Sequence, residues 1–572
     1  MELSHYNMRQ PANLKFGGHF MKSNLRRLMA VFAILILSLG MLTACDAKTN
    51  TNSTALEQET KKVLRIAMEC SYAPYNWTQP DDRNGAVPIF DSSDYANGYD
   101  VMMAKHIADE LGYELQIVKL DWDSLVPAVQ SGTVDAVIAG QSITESRMKM
   151  VDFTTPYYYA SIVALVKADG PYANATGVAD LAGATATSQL NTVWYDACLP
   201  QVPNANILPA QESASAMLVS LNANKADLVV TDMPTAKAAI ATYDNFKLLD
   251  FTESDDNFKV SQEEINIGIS LKKGNTELRD AINGVLSKMT VEDYNKMMDD
   301  AISVQPSSMP SDFLGRIFYI LKEYGASFMR GAGVTMLIAL VGTIIGCIIG
   351  FAVGIIQAFP TSKRDPFMKR GLLWIVRLIL NIYVEFFRGT PMMVQAMFIY
   401  FGSAAVFNIN MSMWFAAFFI VSINTGAYMA ETVRGGILSI EPGQTEGAKA
   451  IGMTHIQTMI YVIIPQALRN IMPQIGNNLI INIKDTCVLS IIGTVELFYV
   501  TKGIAGALYT YFEAFTIVMA IYFILTFTCS RILRHLEGKL DGPDNYDLAT
   551  TDTLAHTSGL YKYTGKRKEE EH

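Results

Sequence analysis

The 572 residues hold no Gly-x-x-x-x-Gly-Lys-[Ser/Thr] run, so the chain has no P-loop with which to cradle the phosphates of ATP. Its six cysteines, at positions 45, 70, 198, 347, 487 and 529, make no Cys-x-x-Cys pair and no metal-ligand spacing. That leaves no expected metal, and no cofactor fingerprint stands elsewhere. A Cys70–Cys198 disulfide is conceivable, but spacing cannot bring two residues together. Charge is scarce, at 17% of residues, and the net charge of −10 comes with no basic cluster outside the flanks of the apolar runs. A nucleic-acid partner is therefore excluded.

What the chain does have is unevenly spread. Half of its residues are hydrophobic, and charge gathers before Asp312 while apolar residues gather after it. At the N-terminus Lys22, Arg26 and Arg27 precede the apolar run Met29–Leu37, which is followed by Leu42-Thr43-Ala44-Cys45. A basic stretch, a short apolar core and small residues before a cut site describe a secretory signal over residues 1–45, with Met21 a plausible start. Leu-Thr-Ala-Cys resembles a lipobox, which makes Cys45 the expected lipidation site; an uncleaved anchor would leave the next domain on the same side. Residues 46–62 read as a polar linker.

From 63 to 301 short apolar strands alternate with amphipathic helices, as in VLRIAM, YDVMMAKHIADEL, LQIVKL and DAVIAG. The pattern predicts α/β structure with a mostly parallel sheet. A second such set runs from about 169 to 252, and the chain then returns through INIGISLKKGNTELRDAINGVLSKM. Two lobes with two crossings predict a hinge and a ligand cleft between them. A Pro/Ser linker, 302–312, leads to the last domain, 313–540. An amphipathic lead-in (Phe313–Tyr324) precedes five apolar segments at about 328–358, 372–402, 411–433, 470–498 and 512–533. The fold expected is thus multidomain: a bilobed α/β domain, then an all-α five-helix transmembrane domain. Lys363, Arg364, Lys369 and Arg370 mark the first loop as cytoplasmic, and the loop near 403–412 has no Lys or Arg. The polar passage 439–458 and the C-terminus then fall in the cytoplasm and the bilobed domain outside. The tail 541–572 is polar and predicted disordered.

The passage 439–458 carries Glu446-Gly447-Ala448, then Gly452, then Ile464-Pro465. This resembles the EAA loop of ABC importer permeases, with Gly447 in place of the middle Ala. AYMAETVRGGI, KDTCVLSIIGTVEL and FFRGTPMMVQAMFIYFG resemble the polar amino acid branch of those permeases. The resemblance implies that Glu446, Gly447, Ala448 and Gly452 dock a separate cytosolic ABC ATPase, and that two copies pair in the lipid bilayer as a homodimer to complete one pathway.

QSITESR and the following VDFTTPYYYAS resemble the matching blocks of polar amino acid binding proteins. The ligand implied is a free amino acid, whose zwitterion needs a cation or donors at one end and an anion at the other. On that match Arg147 forks onto the α-carboxylate with Gly140, Ser142 and Thr144 beside it, and Asp232 accepts from the α-ammonium. Thr192, at the start of a helix in the second lobe, adds a donor, though the Gly common in the family is absent from Gln189-Leu190-Asn191-Thr192. Tyr72 and Trp122 fall at the aromatic stacking positions. Glu69 falls where binders of basic amino acids and glutamine carry an acid, which favours a ligand side chain that donates hydrogen bonds.

Glu385, Arg388, Glu431, Arg434, Lys484, Asp485 and Glu496 lie in or at the ends of the apolar segments. Glu431 and Arg434 are spaced to pair on one helix, and Asn424 and Glu431 are candidates to line a path. The reading is therefore a fused binding and permease subunit of an importer, not an enzyme in itself. Against it stand a ligand-gated channel or sensor with a bilobed outer domain, and an exported bilobed enzyme. The lobes close before Asp312, no filter-like loop or kinase signature occurs, and the zwitterion clamp is intact, which argues against both.

Overall fold

The structure is a computed structural model that describes residues 61–261, 265–305, 309–310, 312–359, 361 and 366–540. The signal segment with Cys45, all but the last two residues of the linker 46–62, and the tail 541–572 lie outside the described residues.

The first lobe is built on Val63–Met68, whose aliphatic residues pair in parallel with Glu114–Lys119 and with Ala136–Val137. Ser270–Leu271 joins the same sheet antiparallel to Ala136–Val137 and to Asp152–Phe153. The second lobe places Ile162–Lys167 antiparallel to Leu228–Asp232 and to Phe246–Leu249, while Thr185–Thr187 runs parallel to Leu228–Asp232. Both sheets are mixed, which corrects the mostly parallel expectation. In the first lobe the reason is topological: Ser270–Leu271 is chain returning from the second lobe, so it enters the sheet from the hinge side. The two crossings lie side by side as a short antiparallel ribbon, Tyr158–Tyr159 against Asn266–Ile267. Two adjacent strands crossing between lobes make the hinge expected of a bilobed domain.

In the membrane half, helix α1 (Phe313–Ala358) starts where the Asp312 carboxylate accepts from the Gly315 amide at 2.7 Å. It ends ahead of Pro360, as helices commonly do before proline. The amphipathic lead-in is thus not a separate element, since nothing between Tyr324 and Phe328 breaks the helix. The next helices are α2 (Phe367–Gly389), a shorter apolar stretch Met392–Phe407, α3 (Met413–Leu438) and α4 (Pro442–Ala450). They are followed by α5 (Ile464–Asp485), α6 (Leu497–Leu508) and α7 (Tyr511–Leu540).

Helices α1 and α3 form the spine. Gly342, Gly346, Gly350 and Gly354 recur every fourth residue on one face of α1 and meet Val421, Thr425, Met429 and Val433 of α3. A Cβ at Gly350 would fall 2.3 Å from the Met429 Cβ. This is a small-xxx-small seam, in which missing side chains let two backbones approach within lipid. Asn482 of α5 ties into it, donating to Thr343 at 2.7 Å and Thr425 at 3.0 Å.

Among the described residues three helices are long and apolar enough to cross a membrane, and a fourth if His455–Ile492 and Leu497–Leu508, bent by 56°, count as one. The helical membrane half thus has three to four candidate spans rather than five plain ones. Segment 372–402 falls short because it is split at Thr390-Pro391 and carries Arg377, Glu385 and Arg388. Segment 470–498 is broken near Gly493, which holds φ +84°.

The lobes and the 439–458 passage touch opposite ends of this bundle. Ser327 and Arg330, near the start of α1, bond Asp94 of the first lobe at 2.7 and 2.6 Å. Phe359, just past the end of α1, packs edge-on against His455 of the passage, ring centroids 5.1 Å apart. At 1.5 Å per residue the two contacts are roughly 45 Å apart along the helix.

Candidate functional site

The expected cleft residues fall into three groups. Arg147 lies in the four-residue helix Glu145–Met148, whose N-cap, Thr144, accepts from the Arg147 amide at 3.3 Å. The guanidinium donates to the Ser142 carbonyl at 2.9 Å and, across to the second lobe, to the Asn191 carbonyl at 2.7 Å. It stacks 5.4 Å from the Trp122 ring. Burial pushes its pKa down to about 10, opposed by the nearby Asp196. Trp122, Thr144, Arg147 and Thr192 line one cavity of about 730 Å³, within the size range of small-molecule sites.

Asp232 forms the second group. It ends the strand Leu228–Asp232 and caps the helix Met233–Thr242, accepting from the Thr235 amide at 2.9 Å. Tyr72, from the first lobe, donates to its other oxygen at 2.7 Å. Burial raises the Asp232 pKa, while the Thr235 and Tyr72 bonds oppose it. Gly140 sits against the same tyrosine: it holds φ +62°, and a Cβ there would lie 3.0 Å from the Tyr72 ring. A buried guanidinium in one lobe and a buried carboxylate in the other are the two ends a zwitterion requires.

Glu69 stands apart, after the first strand. Ser71 donates to one oxygen at 2.7 Å, and the other has no hydrogen-bond partner. Burial raises its pKa, opposed by the Ser71 bond and by the charges of Lys502 and Lys119. The doubtful stretch before Thr192 resolves in its backbone: Asn191 takes φ +58°, the left-handed region that Asn tolerates better than most residues. The helix expected after Thr192 is only the five-residue turn Trp194–Cys198. Its hydroxyl donates to the Gln189 carbonyl at 2.6 Å instead of standing free as a donor. Cys70 and Cys198 are not joined to each other.

At the other end of the molecule, α4 carries Glu446, Gly447 and Ala448. Space around Gly447 is open, and Gly452 follows the helix with φ +86°, a conformation side chains resist. Thr454 and Gln457 then form a capping box that opens the next helix. Ile451 is 80% exposed and Tyr461 63%, so this polar element also shows bare apolar side chains. Glu431 pairs with Arg434, and Arg388 lies 3.9 Å from Glu431. All three border a polar cavity. Asn424 is engaged with Gln395 at 3.0 Å.

Residues 64–300 match the family described as bacterial extracellular solute-binding proteins, family 3. Residues 350–540 match the binding-protein-dependent transport system inner membrane component. The Escherichia coli K12 protein named glutamine transport system permease protein GlnP is 36% identical over 213 residues, covering 37% of this chain and 92% of that one. The chain belongs to the polar amino acid ABC importer family. The Bacillus subtilis arginine transport system permease protein ArtQ is 32% identical over 216 residues, 38% of this chain and 93% of that protein. A Streptococcus pneumoniae amino acid ABC transporter substrate-binding protein, solved bound to L-arginine, is 26% identical over 42% of this chain and 94% of its own, with TM-score 0.37.

In this importer subunit the binding and permease parts share one polypeptide, and the permease part implies an ATPase partner. Sequence reading missed how the two parts meet. Asp121, beside Trp122, accepts from Ser490 at 3.0 Å and pairs with Lys502 of α6 at 2.8 Å. Ser124 donates to the Ile491 carbonyl at 2.5 Å. The α1 glycine spacing was readable as a small-xxx-small pattern. No local signal marked Asp121, which stands where an ordinary helix cap would, or Lys502, which stands inside a helix like any other lysine.

Proposed function

We propose that this chain is the substrate-binding and membrane-spanning subunit of an ATP-driven importer for a polar amino acid, with a basic amino acid or glutamine favoured. The observation that carries this is that Arg147 in one lobe and Asp232 in the other are both buried, with Tyr72 of the first lobe bonded across to Asp232. Arg147 binds the α-carboxylate with Ser142, Thr144 and Gly140 around it, Asp232 takes the α-ammonium, and Tyr72 and Trp122 flank the ligand. Thr192 lines the same cavity. Glu69, with one oxygen unpaired, favours a side chain that donates hydrogen bonds, in keeping with the glutamine and arginine named for relatives.

The element holding Glu446, Gly447, Ala448 and Gly452 is the seat of the cytosolic ATPase, and its exposed Ile451 supports that reading. Five crossings follow if α2 and the bent α5–α6 pair both traverse the bilayer. The exposed Leu372, Trp374, Ile379 and Phe386 on α2 suit lipid or a second copy in a homodimer. The lobes then lie outside the cell and the docking loop and C-terminus within it, which fits their contacts at opposite ends of α1. Cys45, as an acylated residue after a cleaved signal, would tether the lobes at the outer surface.

Titrating the purified full chain in lipid nanodiscs with the twenty amino acids, cystine and ornithine tests the reading. Tight binding of one donor-bearing amino acid is expected; binding to none of them refutes it. Gly452→Val should uncouple ATP hydrolysis from uptake while ligand binding survives, and a fully active transporter would count against the docking role.

A further inference from the structure

Helix α6 packs directly against the binding lobes. Its glycines face the first lobe at backbone distance. A Cβ on Gly506 would fall 1.9 Å from the Ser71 carbonyl oxygen, and one on Gly503 would fall 2.4 Å from the Lys119 ammonium. So α6 lies directly along the segment that runs from Glu69 to Tyr72. Just past its end, the Tyr509 hydroxyl donates to the Ala73 carbonyl of the first lobe, and the Tyr509 carbonyl accepts from Tyr243 of the second. The end of α6 therefore grips both lobes at once.

Between these anchors stands Lys502. Its ammonium pairs with Asp121 at 2.8 Å, and both side chains are largely buried. One helical turn on, Gly506 packs on Ser71, which itself donates to Glu69, so the same face of α6 runs past that carboxylate. An ammonium paired with Asp121 beside Trp122 occupies the kind of position that the cationic or amide end of a bound side chain would take. Glu69 has one oxygen with no hydrogen-bond partner, so the acidic cluster has capacity for one further donor.

We propose that Lys502 is a built-in competitor: when α6 is seated on the lobes, its ammonium takes up the negative charge of Glu69 and Asp121 that would otherwise hold a donor-bearing ligand side chain. Seating of the permease helix and retention of the ligand then oppose each other, and by linkage each weakens the other equally. This gives the permease a direct means of releasing basic ligands, which the charge of Glu69 alone would hold most strongly. The inference rests on the amino acid reading of the cleft.

The test is ligand titration of the full chain in lipid nanodiscs, using L-arginine, L-glutamine and L-alanine as probes. Lys502→Ala should tighten L-arginine binding about tenfold, the scale of a typical coupling between two sites. L-Glutamine should gain less, and L-alanine, with no donor on its side chain, should not change. Gly506→Val, which prevents α6 from seating, should give the same ranking without touching the charge. Adding Lys502→Ala to it should bring no further gain, because both act on one step. Unchanged or weaker L-arginine binding in Lys502→Ala overturns the proposal, as does an equal gain for all three probes. If no chain, wild type included, binds any amino acid, the reading of the cleft itself fails and this inference falls with it.

Discussion

The two halves of this chain bury polar and apolar groups by opposite logic. In the binding lobes, Glu69, Asp100, Arg147 and Asp232 are all buried, and burial moves each away from its charged form. Buried charge costs free energy unless it is met; Asp100 is met inside the lobe by Asn76 and Tyr157, whereas one oxygen of Glu69 has no hydrogen-bond partner and is open to a group of opposite sign. In the membrane half, the spine of α1 and α3 omits side chains altogether, with glycine every fourth residue against Val421, Thr425, Met429 and Val433. Lipid gives helices no hydrophobic reason to associate, so close backbone contact supplies the attraction. One half stores electrostatic cost for binding, while the other uses shape to hold helices together. Lys502, like Arg330, is a charge carried on the shape-packed side where the two meet.

The sharpest way to break that comparison is Arg147→Ala. Losing the buried guanidinium proposed to hold one end of the zwitterion should cost about 3–5 kcal/mol of ligand affinity, enough to abolish calorimetric binding to the full chain. An affinity equal to wild type would remove the charged half of the contrast. Next in size is Gly350→Val, whose added atoms meet the Met429 side chain and backbone. Overpacking of this kind typically costs about 1–3 kcal/mol. A lower unfolding temperature in detergent is expected with ligand affinity intact, and unchanged stability would show that the seam is not tight.

A pH titration separates the halves further. Asp232 and Glu69 have pKa values raised by burial, so a ligand ammonium must bind their ionised forms against a standing tendency to protonate. Affinity should therefore rise with pH as these groups ionise and fall on acidification, by about tenfold for each 1.4 kcal/mol of linked protonation. Calorimetry at pH 5 and pH 7.5 would show this, and Asp232→Asn should flatten the dependence while weakening binding. Asp100 contributes to stability with its own sign. Its pKa is raised to about 7, first by burial and against bonds from Tyr157 and Asn76. The folded lobe holds this proton where the unfolded chain has lost it, so its contribution falls as pH rises from about 4 to about 7. Thermal unfolding followed across that range should show the slope, reduced in Asp100→Asn.

The smallest expected effect is Gly447→Ala in α4. Nothing lies within reach of the new methyl group, and alanine is favoured over glycine by about 1 kcal/mol within a helix. Transport should be unchanged and the loop more protected from amide exchange. A loss of coupling would mean that the ATPase needs bare backbone there.

Much of this was legible along the chain because the signals are local. The alternation of strands and helices, the split at Asp312, and the blocks QSITESR and EGAKAIG each reveal themselves within a few residues. Span counting was less secure, since 372–402 and 470–498 are apolar on average yet broken at Thr390-Pro391 and near Gly493. Average hydropathy does not register a break of a few residues. Sheet direction was also misread, because Ser270–Leu271 pairs with strands more than 100 residues earlier in the chain.

The order of residues by itself determined that there are two lobes and a membrane half with a polar passage between its apolar segments, and which side chains carry charge. Composition and periodicity are properties of neighbours, and neighbours are what a sequence records. Only the tertiary structure decided that Tyr72 reaches across the lobes to Asp232, and that Asp121 meets Lys502 across 381 positions. Those contacts depend on how a hinge closes and how a helix seats, and such long-range geometry leaves no trace in local pattern.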